Sequence, residues 1–505
     1  MADAETAAQA GGKATGETFV RVPAGEAPRL PDPASKVLSW KGSGPTAGQR
    51  LDYRATAGHV DVRADDGSLM ARMFAVSYVV VGQDGRPDPA RPVTFAWNGG
   101  PGSASVPINF GGIGPRRVET DGVRPLRSGA ACVDNPCTIL PETDLVFLDA
   151  PGTGFSALAE GADKSRLLGV EGDADAFCRA ITAWLEESGR WASPVYLFGE
   201  SYGTVRNAVL MRLMGERGVK LTGVVMLSAI WNWVQTLPGE DLYYLGMVPT
   251  FAATAHFFGK AGQGCTVEEW FSRAMAWVDA TYAPALLAGD RLGEEREREV
   301  ARELSKLVGI PEALVLRRHL RLSLEDVRAN LLADEGRIAG RLDMRFSADA
   351  PGYQQQSWGF LAGEDAADSY VNAVWDHAFR AFLAQIGYHA PARYIDSNWE
   401  SVGVGWNWTH EEPGCEERVG APNVTIDLAC ALRRDPTIKL CVIGGRYDAA
   451  TTWWNVPFEL SRQFLSDEVK GRVTTLLYNC GHMAYVDVPT LEAMAVDLRE
   501  FYAKE

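Results

Sequence analysis

Residues 193–214, SPVYLFGESYGTVRNAVLMRLM, decide the fold of this chain. The stretch begins with a short apolar run, passes through the pentapeptide GESYG (199–203) and ends in residues compatible with a helix. A buried strand, a GxSxG turn and a helix in this order predict a nucleophile elbow, in which glycines permit a sharp turn that projects the serine hydroxyl above a sheet. The pattern therefore predicts a nucleophilic Ser201; the alternative is a serine that only caps a helix in a glycine-rich turn.

Other short apolar runs predict the rest of the sheet. They are RPVTFAW (91–97), TDLVFLD (143–149), PTIKLCVIGGRYD (436–448) and GRVTTLLYNCGH (471–482). Continuous apolar strands of this kind are buried on both faces, as in a parallel sheet flanked by helices. An amphipathic helical pattern at 172–189 lies between two such runs. The sequence therefore predicts an α/β fold with a mostly parallel sheet.

The pattern changes near Trp231, where aromatic loops and charged helical stretches replace the strands. Because strand and loop patterns return further along the chain, we interpret this region as an insertion into one domain. The predicted organisation is a flexible N-terminal arm at 1–40, a first part of the core at 41–230, an inserted helical cap at 231–400 and a second part of the core at 401–505. The arm is inferred from a composition rich in Ala, Gly, Pro and Glu without periodicity.

The charge balance excludes some classes of function. The 505 residues include 49 Lys and Arg against 65 Asp and Glu, which gives a formal net charge of −16 at pH 7. This balance disfavours broad binding to the phosphate backbone of nucleic acids. No apolar run reaches the ~18 residues expected of a membrane-spanning helix. The chain also lacks a phosphate-binding motif, so we expect neither nucleic acid, membrane, metal nor cofactor as a partner.

The N-terminal residues and the cysteines bear on the compartment. The first residues lack a basic segment followed by an apolar one, so we expect a cytoplasmic protein, with a periplasmic or secreted protein as the alternative. Eight cysteines are too sparse for a disulfide scaffold. Cys132 with Cys137 and Cys415 with Cys430 could pair in an oxidising compartment, and free buried thiols are the other interpretation.

A serine nucleophile needs a base and an acid, which the α/β-hydrolase chain order places after the serine. His482, one of seven histidines, lies in a Gly-His pair directly after a predicted buried strand. Asp448 follows the apolar run LCVIGG, where its carboxylate can reach the second ring nitrogen of the base. Asp149 also follows a strand, but it precedes the serine, so the order disfavours it. The sequence therefore predicts Ser201, Asp448 and His482 as a catalytic triad.

The tetrahedral intermediate of acyl transfer also needs an oxyanion hole. In this fold one donor is the amide after the nucleophile, here that of Tyr202, and the second comes from the loop after an earlier strand. The loop NGGPG (98–102) follows such a run, and Gly100 is its best donor. A phosphate-binding loop is the alternative, but neither GxGxxG opening a helix nor GxxxxGK[ST] occurs.

Five motifs together resemble those of the serine carboxypeptidase family in order and spacing. They are NGGPG (98–102), DAPGTGFS (149–156), GESYG (199–203), GRYD (445–448) and GHM (481–483). The resemblance covers roughly residues 70–500 and is greatest to the bacterial branch of the family. It implies an α/β-hydrolase core with a helical cap inserted after the elbow half, together with the triad and the two oxyanion donors named above. It also implies that Asn98, Gly99 and Glu200 bind the free C-terminal carboxylate of the substrate.

A carboxylate at Glu200, beside the nucleophile, would repel an anionic substrate end. If burial raises its pKa, however, the neutral acid can donate a hydrogen bond to that end. We therefore expect activity on peptides to be favoured at acidic pH. The alternative is that Glu200 is a solvated turn residue.

Some positions depart from the family pattern beside the pocket for the leaving residue. Ala96 stands where Trp is usual, with Trp97 next to it, and Ala484-Tyr485 replaces the usual Val-Pro. Substrate preference therefore cannot be carried over from the resemblance, and Trp97 and Met483 are only candidates for the pocket. The aromatic stretches at 231–250 and 397–408 could line an apolar acyl-side pocket or pack in the core.

The resulting hypothesis is a serine-type carboxypeptidase that hydrolyses the C-terminal peptide bond of peptides through an acyl-enzyme on Ser201. The alternative is an acyltransferase, or an esterase or amidase, of the same fold that acts on a specialised small molecule. A non-catalytic binding module is disfavoured, because Ser201, Asp448 and His482 are all present. The expected partner is a peptide or peptide-like substrate, and both a monomer and a homodimer remain open.

Overall fold

The computed structural model describes residues 20–22, 30–120, 131–350, 365–367, 372–390, 392–415 and 417–504. Its strands are β1 (Val20–Val22), β2 (Ala34–Lys41), β3 (Arg50–Arg63), β4 (Leu69–Val80), β5 (Val93–Trp97), β6 (Arg116–Val118), β7 (Cys132–Asp134), β8 (Asp144–Leu148), β9 (Ala157–Ala159), β10 (Val195–Glu200), β11 (Leu221–Leu227), β12 (Arg337–Ala339), β13 (Ser347–Asp349), β14 (His410–Glu411), β15 (Arg418–Val419), β16 (Lys439–Gly445) and β17 (Val473–Tyr478).

The α-helices are α1 (Val170–Glu187), α2 (Tyr202–Glu216), α3 (Asp241–Phe257), α4 (Val267–Trp277), α5 (Ala283–Ala288), α6 (Glu294–Val308), α7 (Glu312–Arg317), α8 (Leu324–Asn330), α9 (Asn372–Ile386), α10 (Thr425–Arg434), α11 (Asn455–Ser461), α12 (Asp467–Lys470) and α13 (Val488–Ala503). Among the described residues, the segments Pro107–Ile113, Val278–Tyr282 and Trp399–Gly403 are π-helical. Within the described residues, no helix is long and apolar enough to cross a membrane.

One large mixed sheet organises the fold. The main strand order is β1-β9-β4-β8-β5-β10-β11-β16-β17. Outside this order, β3 pairs with both β2 and β4. The strands from β8 to β17 in the main order pair in parallel, whereas β2, β3 and β4 pair antiparallel. The prediction of an α/β fold with a mostly parallel sheet is therefore confirmed.

The apolar runs form the centre of this sheet because both of its faces are covered. Every residue of β5, β8, β10 and β16 is buried. Helices α1, α2 and α10 pack on one face, against alternate strand residues such as Phe95 and Leu197. Helices α9 and α13 pack on the other face, against the neighbouring residues Ala96 and Phe198. The parallel strands end at one common edge, and loops that follow them form the site described below.

A helical insertion between β11 and β16 has a hydrophobic cluster of its own. Side chains of α3 to α8 form it, from Tyr243 to Met344, and it contacts Ala449 and Trp454 in the segment after β16. Helices α3 to α8 lie within the predicted cap at 231–400, and the last helix of that range packs elsewhere. Helix α9 packs on the core sheet, because Trp375 and other apolar side chains of α9 join the cluster of Ala96 and Phe198.

The predicted N-terminal arm also differs from the structure in its last residues. Strand β2 pairs with β3 from Ala34 to Lys41, and its Trp40 is fully buried. The indole Nε1 of Trp40 donates a 2.8 Å hydrogen bond to the carbonyl oxygen of Asn135. Residues 34–40 are therefore part of the core, because one apolar side chain anchors a polar edge strand. Residues 1–19 and 23–29 of the predicted arm lie outside the described residues.

Candidate active site

Ser201 lies at the turn between β10 and α2 with φ 59° and ψ −128°, a conformation that a non-glycine residue rarely adopts. The flanking glycines give this turn its space. A Cβ atom at Gly199 would lie 2.3 Å from the carbonyl oxygen of Gly203. The amide of Ser201 donates a 3.0 Å hydrogen bond to the carbonyl oxygen of Leu227 on the neighbouring strand. The predicted strand–elbow–helix geometry is therefore what the structure shows.

His482 and Asp448 form a buried pair at the same edge of the sheet. The distance from His482 Nδ1 to Asp448 Oδ2 is 2.8 Å. The amides of Ala450 and Thr451 donate to Asp448 Oδ1 at 2.8 and 3.0 Å, and the Thr451 hydroxyl donates to Oδ2 at 2.7 Å. These donors fix the carboxylate, which in turn orients the imidazole through Nδ1, as the predicted triad requires.

The electrostatics of His482 suit a general base with a charge partner. Burial lowers the pKa of its imidazole, whereas the charge and hydrogen bond of Asp448, followed by the charge of Glu200, raise it. The net result is a pKa above the ordinary value for histidine. Asp448 therefore favours the protonated imidazole, which is what a general base that takes a proton from Ser201 would need.

Two contacts hold the backbone of His482 from opposite sides. Its amide donates a 2.6 Å hydrogen bond to the carbonyl oxygen of Leu342, which belongs to the helical insertion. Its carbonyl oxygen accepts a 2.6 Å hydrogen bond from Ser228 Oγ, at the end of β11. The sequence did not indicate either contact, because both join segments that are far apart in the chain.

The glycine loop after β5 lies directly against the elbow. A Cβ atom at Gly99 would lie 2.4 Å from the amide nitrogen of Tyr202, so only glycine permits this approach. Gly100, with φ 105°, lines the same cavity as Ser201 and Tyr202. As the first residue of α2, Tyr202 has an amide without an intrahelical acceptor. The two predicted oxyanion donors therefore lie at one cavity with the nucleophile.

Glu200 is buried beside the nucleophile, with 2% of its surface exposed, so it is not a solvated turn residue. Its Oε2 accepts hydrogen bonds from Asn98 Nδ2 at 2.8 Å and from the Tyr485 hydroxyl at 2.9 Å. Burial raises the pKa of Glu200 to about 7; His482 and the two hydrogen bonds oppose this effect, and the charge of Asp448 adds to it. The carboxyl group can therefore be neutral in mildly acidic solution.

Asn98 has a fixed orientation. Its Oδ1 accepts a 3.0 Å hydrogen bond from the amide of Ile108, so its Nδ2 faces Glu200. Arg206 Nη1 donates to its backbone carbonyl at 3.1 Å, and Arg206 Nε also pairs with Asp173 at 2.6 Å. This ion pair is fully buried, with the guanidinium 4.0 Å above the ring of Phe177. The pair lies behind the site and was not predicted, since nothing local marks it.

The site opens into a cavity of about 490 Å³. Both the sheet edge and the insertion contribute to its walls. Residues from the insertion and its approach include Trp233, Gln235, Tyr243, Met247, Leu324 and Arg341, and residues of the core include Asn98, Gly99, Gly100, Glu200, Ser201, Tyr202, Thr451, Asn455, His482 and Met483. Part of the aromatic stretch at 231–250 therefore lines the cavity, which agrees with its interpretation as a pocket wall.

The two pocket candidates have different positions. Met483 lines the cavity, as the sequence suggested. Trp97 does not: it is fully buried on the α1 face of the sheet, with its ring 4.8 Å from that of Phe177 and its Nε1 donating to Gly203 O at 3.3 Å. Side chains alternate along a strand, so position 97 points away from the face of Ala96. Trp97 is therefore a packing residue behind the elbow.

Asp149, which the sequence analysis also considered, has a structural role. Asp149 is buried and accepts 2.8 Å hydrogen bonds from the amide of Ser105 and the hydroxyl of Tyr394. Burial raises the pKa of Asp149 to about 6, and these hydrogen bonds oppose the shift.

All eight cysteines lie within the described residues, and each, including Cys415 and Cys430, is a free thiol.

The sheet, the elbow at Ser201 and the paired His482 and Asp448 define a protein of the α/β-hydrolase class. A solved structure with a similar fold is Kex1Δp, a prohormone-processing carboxypeptidase from Saccharomyces cerevisiae. Its TM-score is 0.51 at 14% sequence identity, and the match covers 89% of this chain and 91% of that one. At this identity the likeness shows the fold alone.

Part of the chain is similar in sequence to a known family. The family model described as serine carboxypeptidase matches residues 45–218, which contain the glycine loop and the elbow. A curated relative, serine carboxypeptidase-like 36 from Arabidopsis thaliana, is 28% identical over 180 residues, or 34% of this chain. The match spans 33% of that relative, about a third of its length. Residues 45–218 of the chain are therefore similar in sequence to the serine carboxypeptidase family.

Proposed function

We propose that this protein is a serine-type carboxypeptidase that removes the C-terminal residue of peptides. The observation that carries the proposal is the pair of Glu200 and Asn98, buried next to the nucleophile and 2.8 Å from each other. A general esterase needs only the triad and the oxyanion hole. An acid and an amide directly beside the serine supply hydrogen-bond donors at the position where a C-terminal carboxylate would lie.

The residues of the site account for the acyl transfer. The hydroxyl of Ser201 attacks the carbonyl carbon of the last peptide bond while His482 Nε2 takes its proton. The oxyanion accepts hydrogen bonds from the amides of Gly100 and Tyr202. His482 then gives its proton to the leaving amine, and the C–N bond breaks. Water, activated by His482, attacks the acyl-enzyme, and the serine leaves with the returned proton.

Glu200 makes this scheme selective for a free C-terminus. When it is ionised, its charge opposes that of a substrate carboxylate. When it is neutral, its hydroxyl donates to that carboxylate, which is a charge-assisted hydrogen bond. A pKa of about 7, raised mainly by burial, makes the neutral form available in the free protein. We therefore infer that the substrate is a peptide, or a peptide-like molecule, with an unblocked carboxyl end.

The similarity to the serine carboxypeptidase family supports the same activity. The family model covers the glycine loop and elbow, the two segments that supply Asn98, Glu200, Ser201 and the oxyanion donors. The yeast protein of similar fold is described as a prohormone-processing carboxypeptidase. Both findings agree with the chemistry of the site.

The test follows an N-blocked peptide by mass spectrometry, next to the same peptide with a C-terminal amide. We expect stepwise loss of single residues from the carboxyl end of the free acid only. Ser201→Ala should abolish both this loss and labelling by a fluorophosphonate probe, while leaving the free energy of unfolding nearly unchanged. Internal cleavage, or labelling without any release of C-terminal residues, would contradict the proposal and favour an esterase or an acyltransferase.

A further inference from the structure

Tyr485 lies against the carboxylate-binding pair without reaching the cavity. It follows His482-Met483 in the 3₁₀ turn Ala484–Val486 and is fully buried. Its hydroxyl donates to Glu200 Oε2 at 2.9 Å and lies 3.4 Å from Asn98 Nδ2. The turn begins two residues after His482, and its Tyr485 contacts Glu200. It therefore connects the catalytic base to the acid that faces the substrate.

The ring of Tyr485 is held in a narrow slot. The π-helical segment Pro107–Ile113 supplies one wall, where a Cβ atom at Gly111 would lie 2.8 Å from the tyrosine ring and one at Gly112 would lie 3.3 Å from it. The ring of Trp375 is 5.8 Å away, centroid to centroid. Two adjacent glycines thus make room for this ring, and the slot holds it with its hydroxyl against Glu200.

The hydrogen bonds of Glu200 are unequal between its two oxygens. Oε2 accepts from both Asn98 and Tyr485, whereas no described group of the chain bonds to Oε1. A proton on Oε2 would displace one of these donors. The neutral acid therefore carries its proton on Oε1. Because Glu200 lines the cavity, Oε1 is the oxygen left for a ligand.

We propose that Tyr485 is a positioning residue of the carboxylate-binding site: with Asn98 it occupies Glu200 Oε2, so that the neutral acid offers its Oε1 proton to the substrate carboxylate. This inference rests on the proposed carboxypeptidase function. The other titratable groups that act on Glu200 are His482 and Asp448, from the loops after β17 and β16. Together with burial and the hydrogen bonds from Tyr485 and Asn98, they set how much of the acid is neutral. Tyr485 in addition determines which oxygen of Glu200 carries the proton.

The test is Tyr485→Phe, which keeps the ring in its slot and removes only the hydroxyl. At pH 5, where Glu200 is neutral, we expect KM for an N-blocked dipeptide to rise on the order of tenfold, because a misplaced Glu200 proton loses its hydrogen bond to the charged substrate carboxylate. The value of kcat should change little, because the carboxylate contact is the same in the bound substrate and the transition state. The kcat/KM for the C-terminal amide should stay as in the wild type.

A matched control is Tyr394→Phe, which removes another buried hydroxyl–carboxylate hydrogen bond, 2.8 Å from Tyr394 to Asp149, in the same core cluster. It should leave KM for the free acid unchanged. An equal loss on acid and amide in Tyr485→Phe, or a KM equal to that of the wild type, would overturn the positioning role. If the wild type itself does not prefer the acid over the amide, the proposed function fails and this inference fails with it.

A second measurement does not depend on turnover. The pKa of Glu200, followed by ¹³C NMR of labelled glutamate carboxyl groups, should rise in Tyr485→Phe, because the carboxylate loses a donor. The loss of that donor also moves the alkaline decline of kcat/KM for the free acid to higher pH. A Glu200 pKa that is the same in both proteins would show that the hydroxyl does not act on this carboxyl group, and the proposal would be rejected.

Discussion

Ser228 Oγ donates a 2.6 Å hydrogen bond to the carbonyl oxygen of His482, across 254 residues of chain. Ser228 directly follows β11, whose Leu227 carbonyl accepts a hydrogen bond from the amide of Ser201. The end of this strand therefore contacts both the elbow and the backbone of His482. We expect Ser228→Ala to lower the free energy of unfolding by about 1–3 kcal/mol, since it leaves a buried carbonyl without its donor. It should also lower kcat. Urea denaturation and steady-state kinetics measure the two effects, and an unchanged kcat would show that the contact stabilises without positioning His482.

The pH profile should change when Glu200 is replaced by Gln. In the wild type, kcat/KM for the free acid should fall as pH rises through about 7, because burial raises the pKa of Glu200 to that value and the ionised form repels the substrate. Glu200→Gln has no group to ionise there, so the alkaline decline should disappear while the acidic limb set by His482 remains. The C-terminal amide serves as the control substrate. A profile identical to that of the wild type would contradict the role given to Glu200.

The buried ion pair behind Asn98 should be costly to break from one side. Arg206 and Asp173 are both fully buried, with 2.6 Å between Nε and Oδ2. Asp173→Asn leaves the guanidinium without its counter-charge, and we expect a loss of about 3–5 kcal/mol in the free energy of unfolding. The double variant Arg206→Met with Asp173→Asn should recover a large part of that loss. If the single and double variants are equally unstable, the unpaired charge of Arg206 is not the cause of the stability loss in Asp173→Asn.

His410 should make stability depend on pH. It is buried between Glu171 Oε1, 2.5 Å from its Nδ1, and Asp427 Oδ2, 2.7 Å from its Nε2. Burial lowers its pKa, but the hydrogen bonds and charges of Asp427 and Glu171 raise it to about 9. Because the folded value lies above the ~6.5 of an unfolded chain, the stabilisation is complete below that pH and is lost as pH rises through about 9.

The corresponding experiment compares the wild type with His410→Gln by urea denaturation from pH 6 to 9.5. The stability advantage of the wild type over His410→Gln should shrink by about 3 kcal/mol across this range. A difference that is constant with pH would show that His410 is not charged in the folded protein.

The sequence predicted the parts of the site that local patterns encode. The elbow at Ser201, the glycine loop at Gly100 and the positions of Asp448 and His482 at strand ends each follow from a short motif beside an apolar run. The chain order of the triad then predicted that these residues lie together, because parallel strands end at one edge of the sheet. The buried state of Glu200 was a condition in the sequence argument, and the structure meets it.

The residues that were not predicted act across long distances in the chain. Tyr485 contacts Glu200 although 285 residues of chain separate them. A local pattern does not predict which side chain will pack behind a buried acid. Trp97 was assigned to the wrong surroundings because one step along a strand exchanges the two faces of the sheet. Helix α9 was placed with the cap because its pattern shows an apolar face but not which layer it covers.

The central claim is that a neutral Glu200 beside Ser201 selects a free C-terminal carboxylate. The most direct measurement is the ratio of kcat/KM for an N-blocked dipeptide to that for its C-terminal amide, at pH 5 and at pH 7.5. We predict a ratio far above one at pH 5 that falls at pH 7.5, and a much smaller dependence on pH in Glu200→Gln. Equal turnover of acid and amide at both pH values would contradict the account.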